Sequence, residues 1–233
     1  MHEGAVCAGW WLVSGPRLSY FQVRAGLGDD LIPGDRRWDA GPGGGHVLSR
    51  ALVESLGPDR RQALQEQRRP VVVHARLDDP VQKVMFLDGH WIRAEGSQAV
   101  IDEESGVIYL ALALRNVGTG IAVLQGWYPW LDLVTADVDH PPSEDFRRQS
   151  RDIYIAPGDV GMWQGALRDA NDDVIRGIAA ARAERRPFTL DLLYSDQVGG
   201  QRTISRFGVT PVGEDRWLGH VGLHWHLDSA GPR

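Results

Sequence analysis

The residues whose types and spacing best suit chemistry lie near the C-terminus: His220, His224 and His226, followed by Asp228. Side chains of an extended strand alternate between its two faces, so three even-numbered histidines project to one side. Imidazoles spaced this way on a strand, joined by a carboxylate, form a ligand set for a divalent transition metal such as zinc, iron or copper. The neighbouring residues support a competing reading. Trp217, Val221, Leu223, Trp225 and Leu227 occupy the odd positions and are uniformly apolar, which makes the odd face the core face. The histidines then meet solvent as ordinary polar residues. No second cluster completes the ligand set, and His74, His90 and His140 stand alone.

Tryptophan is the other abundant resource, with nine in 233 residues. Exposed Trp on a β-scaffold can stack on a sugar or line an apolar groove. The segment Trp127-Tyr128-Pro129-Trp130 is the best such place, because Pro129 is expected to push Trp130 into a loop. Trp91, Trp163, Trp217 and Trp225 fall in strand-like segments and are expected to fill the core. The polar turn 195–200, with Gln197 and Gly199, offers a second candidate contact surface.

Other catalytic templates are missing. No Gly-x-Ser-x-Gly turn presents a serine nucleophile. The glycine-rich run 41–45 leads into His46, not into the Lys and Ser/Thr of a phosphate-binding loop. Gly118-Thr119-Gly120 lies between strands, so no helix N-terminus backs it. The acidic pairs Asp29-Asp30, Asp78-Asp79, Glu103-Glu104 and Asp172-Asp173 sit in turns or at a helix start, where turn and cap chemistry accounts for them. Cys7 has no basic neighbour to activate its thiol. As the single cysteine, it also excludes an internal disulfide framework and cysteine-based zinc or iron–sulfur centres. A formal net charge of −6 argues against general nucleic-acid binding, which needs a cationic face. Lys83 is the only lysine while Arg is abundant, the mark of GC-rich coding, so arginine clusters carry no message about function.

These residues need a scaffold, and the chain changes character near position 70. Residues 26–45 have a loop composition rich in Gly, Asp and Pro. Two thinly apolar helices are expected over 46–56 and 59–69, ended by Gly57-Pro58 and by Pro70. Residues 1–70 thus read as an irregular, partly helical peripheral region. From Val71 the periodicity is two. Residues 84–87 and 90–93 flank Asp88-Gly89 as a hairpin. Residues 107–115 are apolar on both faces, as in an inner strand. Further strands are expected over 71–76, 99–101, 121–128, 151–156, 160–167, 188–194, 201–209 and 216–227. One helix is marked between strands, with Asp172 and Asp173 at its positive end, Val174, Ile175 and Ile178 as its stripe, and Arg182, Arg185 and Arg186 at its negative end. Many short strands with turns between them and one inserted helix predict an antiparallel β-sandwich over 71–233.

The stretch Tyr109-Leu-Ala-Leu-Ala-Leu-Arg-Asn-Val-Gly-Thr-Gly-Ile-Ala-Val-Leu resembles the strand, Asn-x-Gly, strand element of bacterial Ig-like sandwich modules. Ile155-Ala156-Pro157-Gly158-Asp159 is similar to the Pro-Gly-acidic turn found further along such modules. Together with residues 152–165 and Gln201-Arg202-Thr203-Ile204-Ser205-Arg206-Phe207, Arg115-Asn116-Val117-Gly118 resembles an uncharacterised actinobacterial protein family from about Val71 onward. The resemblance implies an Ig-like fold; it implies no known activity and carries over no catalytic residue.

The expected function is a non-enzymatic domain for protein interaction or regulation, without a cofactor, whose contacts are Trp127, Trp130, Gln197 and Gly199. One alternative is a metal-binding protein or metal-dependent enzyme using His220, His224, His226 and Asp228. Another is a small-ligand or carbohydrate binder. The longest early apolar run, 5–13, is far short of the ~20 residues of a membrane span. Glu3 stands where a signal peptide would be basic, so a cytoplasmic protein is expected, with membrane tethering conceivable in longer relatives.

Overall fold

A computed structural model describes Gly57, Arg60, Ala63 and residues 68–229. The irregular N-terminal region, Cys7 and the helix expected over 46–56 lie outside the described residues; Arg60 and Ala63 are helical. The element order is β1 (Val72–His74), β2 (Gln82–Met85), β3 (Trp91–Ala94), β4 (Gln98–Glu104), β5 (Val107–Asn116) and β6 (Ala122–Trp130). A 3-10 turn (Ser143–Asp145) follows, then β7 (Arg147–Ile155), β8 (Val160–Leu167), α1 (Asp173–Glu184), β9 (Phe188–Ser195), β10 (Thr203–Val212) and β11 (Arg216–His226). No helix among the described residues is long and apolar enough to cross a membrane.

Among the described residues nine strands form one antiparallel sheet in the order β1-β5-β4-β11-β10-β9-β6-β7, with β8 on the other edge of β5; β2 and β3 form a separate hairpin. The large sheet coils until its ends meet. There β7 and β8 lie side by side without a backbone ladder. Arg151 donates to Gln164 Oε1 at 2.8 Å, and Gln149 Nε2 donates to the Gln164 carbonyl at 2.7 Å. Two facing halves of one sheet therefore share a single core, a mainly β, sandwich-like fold.

The residues of β5 show why the sequence folds this way. Ile108, Leu110, Leu112 and Leu114 point into the core with Trp163, Leu190, Leu192, Phe207 and Trp217. Tyr109 and Ala111 point the other way and are covered by Val84, Phe86 and Ile92 of the β2–β3 hairpin. Both faces of β5 are buried, so both had to be apolar. At ~1.5–3 kcal/mol for each large apolar side chain removed from water, this one strand supplies a sizeable share of the core's stabilisation.

Helix α1 packs against the same core through Ile175, Ile178 and Ala181, at the i, i+3 spacing of one helix face. The Asp172 carboxylate caps its first turn by accepting from Val174 N at 3.0 Å. Arg185, in the left-handed region at φ 51°, ends it.

Asn116, at the end of β5, ties several segments together while fully buried. Its Nδ2 donates to the carbonyls of Gly120 (2.6 Å) and Ile155 (3.0 Å), and its Oδ1 accepts from Val71 N (3.2 Å) and Gly118 N (3.0 Å). Its backbone also pairs with Gly158 and Asp159. The two turns that carry the family resemblance are thus joined through one amide. Gly120 must be glycine for a steric reason: a methyl group there would overlap the Arg68 carbonyl.

Candidate functional site

The C-terminal histidines do not share a face. In the β10–β11 ladder, Ser205 pairs with His224, but Phe207 pairs with Val221 and Gly208 with His220, which leaves Gly222 as an extra residue. One inserted residue reverses every side chain beyond it. Trp217 and Val221 accordingly meet the inner core, whereas Leu223, Trp225 and Leu227 join an outer cluster with Phe146, Leu193 and Ile204. His220 lies on the outer face with its ring across Gly208, and His224 and His226 turn inward. The expectation of one apolar odd face and one histidine face is corrected by this bulge. Asp228 is also committed, holding Arg202 through its backbone N–H and its guanidinium at 2.7–3.2 Å. Among the described residues no three His, Cys, Asp or Glu side chains converge to hold a metal ion.

Inside the sheet, His224 ends a short hydrogen-bonded chain. Val72 N donates to Tyr194 Oη (3.1 Å), Tyr194 and Ser205 hydroxyls lie 2.8 Å apart, and Ser205 Oγ is 2.7 Å from His224 Nδ1. With Tyr194 donating to Ser205 and Ser205 donating to Nδ1, every member is satisfied when the imidazole is neutral. Burial lowers the pKa of His224, with His226 adding repulsion, and pushes the Tyr194 phenol up to about 12. A serine 2.7 Å from an imidazole has the spacing of a nucleophile and its base. Ser205 is fully buried beneath Tyr194, however, so the arrangement is a latch between β9, β10 and β11. On β1, His74 Nδ1 accepts from Val221 N at 3.2 Å, and burial followed by repulsion from His220 lowers its pKa.

The tryptophan expectation is also revised. Trp127 is buried and packs edge-on against Trp163, with ring centroids 5.2 Å apart. Pro129 and Trp130 remain in β6, where the strand has lost its β7 partner and pairs with β9 alone. At such a position a proline interrupts little. Trp130 is half-buried and donates Nε1 to Asp191 Oδ2 at 2.8 Å. Asp191 in turn holds Arg206 in a two-point ion pair, both bonds 2.8 Å, with both residues buried. The Arg206 guanidinium lies 5.3 Å from the Trp130 ring and 4.7 Å from the Trp225 ring. It also donates to the carbonyls of Thr135, Val138 and Asp139, which fastens the loop after β6 to the sheet. Trp127 and Trp130 are therefore packing residues.

Gln197 and Gly199 are exposed, in the β9–β10 turn. The Asp196 carboxylate braces that turn by accepting from Val198 N (3.2 Å) and Gly200 N (2.8 Å), and Gly199 takes φ 76°. Gln197 borders a shallow cleft of about 330 Å³ with Ile121, Pro157 and Val198; Gly199 does not line it.

The outstanding exposed surface is the β2–β3 hairpin, whose sequence pattern marks a fold element and no site. Its register pairs Lys83 with Arg93, Val84 with Ile92 and Met85 with Trp91. Val84, Ile92 and Phe86 face inward, so the alternation turns Lys83, Met85, Trp91 and Arg93 to solvent. Trp91, expected in the core, is 60% exposed, and Leu87 at the tip is 73% exposed. The tip is a three-residue loop closed by Phe86 N donating to the His90 carbonyl, with only Gly89 at positive φ. It is fixed to the sheet below. The Asp88 carboxylate accepts from the Tyr109 hydroxyl (2.8 Å) and from Arg168 (2.9 Å). These partners hold its pKa at about 2, with the Tyr109 bond contributing most. The His90 ring stacks on Tyr109 at 4.0 Å and places its two nitrogens 2.7 Å from Glu104 and 3.0 Å from Asp102. The sequence signal for this contact was the i, i+2 pair Asp102 and Glu104 on one face of β4.

No protein-family model and no curated protein matches the chain. Among solved structures, a protein from Archaeoglobus fulgidus is similar at a TM-score of 0.23 and 8% identity, over 55% of this chain and 93% of that one. A likeness of that degree carries no argument about fold or function.

Proposed function

We propose that this chain is a non-enzymatic interaction domain that docks a protein partner on the outer face of the β2–β3 hairpin. One observation carries the reading: Leu77, Val81, Met85, Leu87 and Trp91 are all exposed large apolar side chains within residues 77–91. Leaving a tryptophan and a methionine paired in water forgoes ~1.5–3 kcal/mol each, a cost that partner burial recovers. Trp, Met and Arg are also enriched where interfaces concentrate their energy. The hairpin is held at its tip by Asp88 and His90, so little ordering remains to be done on binding.

Lys83 and Arg93, directly beside the Met85–Trp91 pair, set the chemistry of the partner, Arg93 with only a loose, exposed ion pair to Glu95 at 3.7 Å. It presents an apolar side chain flanked by carboxylates, which also lets it approach an acidic chain at its cationic spot. The resemblance to Ig-like modules is consistent with such a role, since those scaffolds bind through exposed loops and faces.

The test is site-specific photocrosslinking from position 91 in cells, followed by binding measurements with the purified crosslinked protein. A single discrete adduct is expected, with affinity reduced more than about tenfold, ~1.4 kcal/mol, by Trp91→Ser and by Met85→Ser. Both variants should retain the wild-type thermal midpoint. No adduct at position 91, or an adduct whose binding ignores both substitutions, refutes the reading.

A further inference from the structure

We propose that the cavity opened where β6 and β7 lose register binds a small, neutral polyhydroxylated ligand of the sugar class. The site is independent of the hairpin face. Leu124 pairs with Ile153 and Gly126 with Arg148, so Gln125 alone faces residues 149–152. The β6–β9 ladder shifts at the same place, from Leu124–Tyr194 to Gly126–Leu193. Gln125 is the extra residue on one side, and β7 is pushed outward on the other. The result is a cavity of about 520 Å³ between β6, β7 and the 3-10 turn, within the size range of small-molecule sites. Bulges of this kind recur beside binding sites because they re-aim side chains.

The polar lining is oriented yet unspent. Ser195 Oγ donates to the Asp196 carbonyl at 2.8 Å, so it must accept from Gln125 Nε2, also at 2.8 Å. That leaves Gln125 Oε1 as an acceptor without a protein partner among the described residues. Gln149 Nε2 is spent on the Gln164 carbonyl, and its Oε1 is buried without a hydrogen-bond partner. That oxygen is closed to water as it stands, and an unpaired buried amide oxygen costs about 1–3 kcal/mol; a turn of the Gln149 side chain toward the cavity, where a ligand hydroxyl would meet it, removes that cost. Glu144 and Arg148 line the same cavity and form no ion pair among the described residues. Asp152, whose carboxylate accepts from the Tyr154 hydroxyl at 3.5 Å, lines it as well, and Leu124, Phe146 and Leu193 supply apolar wall.

This mixture selects a ligand class. Two amide oxygens and two carboxylates demand hydrogen-bond donors, while the guanidinium demands an acceptor. Vicinal hydroxyls are both, and the C–H face of a sugar ring suits the apolar wall. An anion such as phosphate would meet Glu144 and Asp152, and a purely apolar ligand would strand the two amides.

The test uses the full chain with saturation-transfer NMR and titration calorimetry. The probes are D-glucose, D-galactose, D-mannose, N-acetyl-D-glucosamine, maltose and lactose. At least one is expected to show saturation transfer, weakened about tenfold by Gln149→Leu, the loss of one well-placed hydrogen bond. Glu144→Gln, an exposed position that leaves folding intact, should weaken it as well. Trp91→Ser should not, which separates this site from the docking face. The proposal is overturned if none of the six sugars binds at tens of millimolar, or if binding survives both cavity substitutions. Preferential binding of spermidine or inorganic phosphate would overturn it too.

Discussion

Replacing Arg206 by Met tests the energetics of the loop that covers the outer face of β9 and β10. The methionine keeps much of the aliphatic stem but removes the guanidinium between Trp130 and Trp225. Asp191 is fully buried and would keep a single donor, Trp130 Nε1. Removing one partner of a buried ion pair costs about 3–5 kcal/mol, because the charge left behind is uncompensated. A chain of this size loses roughly 2–4 °C of midpoint per kcal/mol, so the expected fall in Tm is roughly 6–20 °C. Circular dichroism reports the global midpoint, and tryptophan fluorescence should change in the folded baseline because two indoles lose their cation. The double variant Asp191→Leu with Arg206→Met removes both charges and should recover at least half of the loss, since apolar replacement of a buried pair is often close to neutral. An Arg206→Met protein within ~1 kcal/mol of wild type, or a double variant no more stable than the single, would refute the argument.

Three further outcomes are expected. His224→Ala leaves the Ser205 hydroxyl without its acceptor and should destabilise by about 1–3 kcal/mol, whereas His220→Ala should stay within ~0.5 kcal/mol in the same urea titration; equal effects would contradict the bulge at Gly222. Asn116→Ala strips the partners of Val71 N, Gly118 N and the carbonyls of Gly120 and Ile155, so a loss of roughly 3 kcal/mol or more is expected by thermal unfolding. Stability should fall in two stages as pH drops. Burial holds the pKa values of His74, His224 and His226 below 6.5, so the unfolded chain takes up protons first and stability declines below that value. Asp79, Asp88, Asp172 and Asp228 are shifted below 3.8 by their partners, Asp88 to about 2. Their contribution is whole above 3.8 and is lost as pH falls through each lowered value, that of Asp88 at about 2. A urea midpoint that rises on acidification from neutral to mildly acid pH would contradict the first stage.

Much of the fold was legible because it rests on local rules. The double apolar alternation of β5 identified an inner strand, and Asp172 with the Val174, Ile175 and Ile178 stripe marked the one helix between strands. Asp88-Gly89 announced the hairpin. The sites were harder to read for one reason: strand periodicity gives relative facing only until a residue is inserted. Gly222 and Gln125 each break the count, and neither carries a sequence mark distinguishing it from an ordinary strand residue. The histidine face was lost at the first, and the cavity between β6 and β7 was invisible because of the second. Trp130 and Trp91 exchanged their expected places for a different reason. Burial of an indole depends on what crosses above it, here Arg206 and its loop for Trp130 and, among the described residues, nothing for Trp91, and only tertiary packing decides that. Asn116 looked like turn chemistry from sequence and proved to be a four-way junction.

The side-chain stitching between β7 and β8 bears on whether a strand of another molecule can join the sheet there. Two strands that meet without a ladder leave backbone donors and acceptors that a foreign strand could adopt. Here β7 carries Arg147, Arg148 and Arg151; Arg147 is paired with Asp172 at 2.7 Å, so an approaching copy would bring the cations of Arg148 and Arg151. Like-charged margins repel, so sheet extension between copies is discouraged along this border.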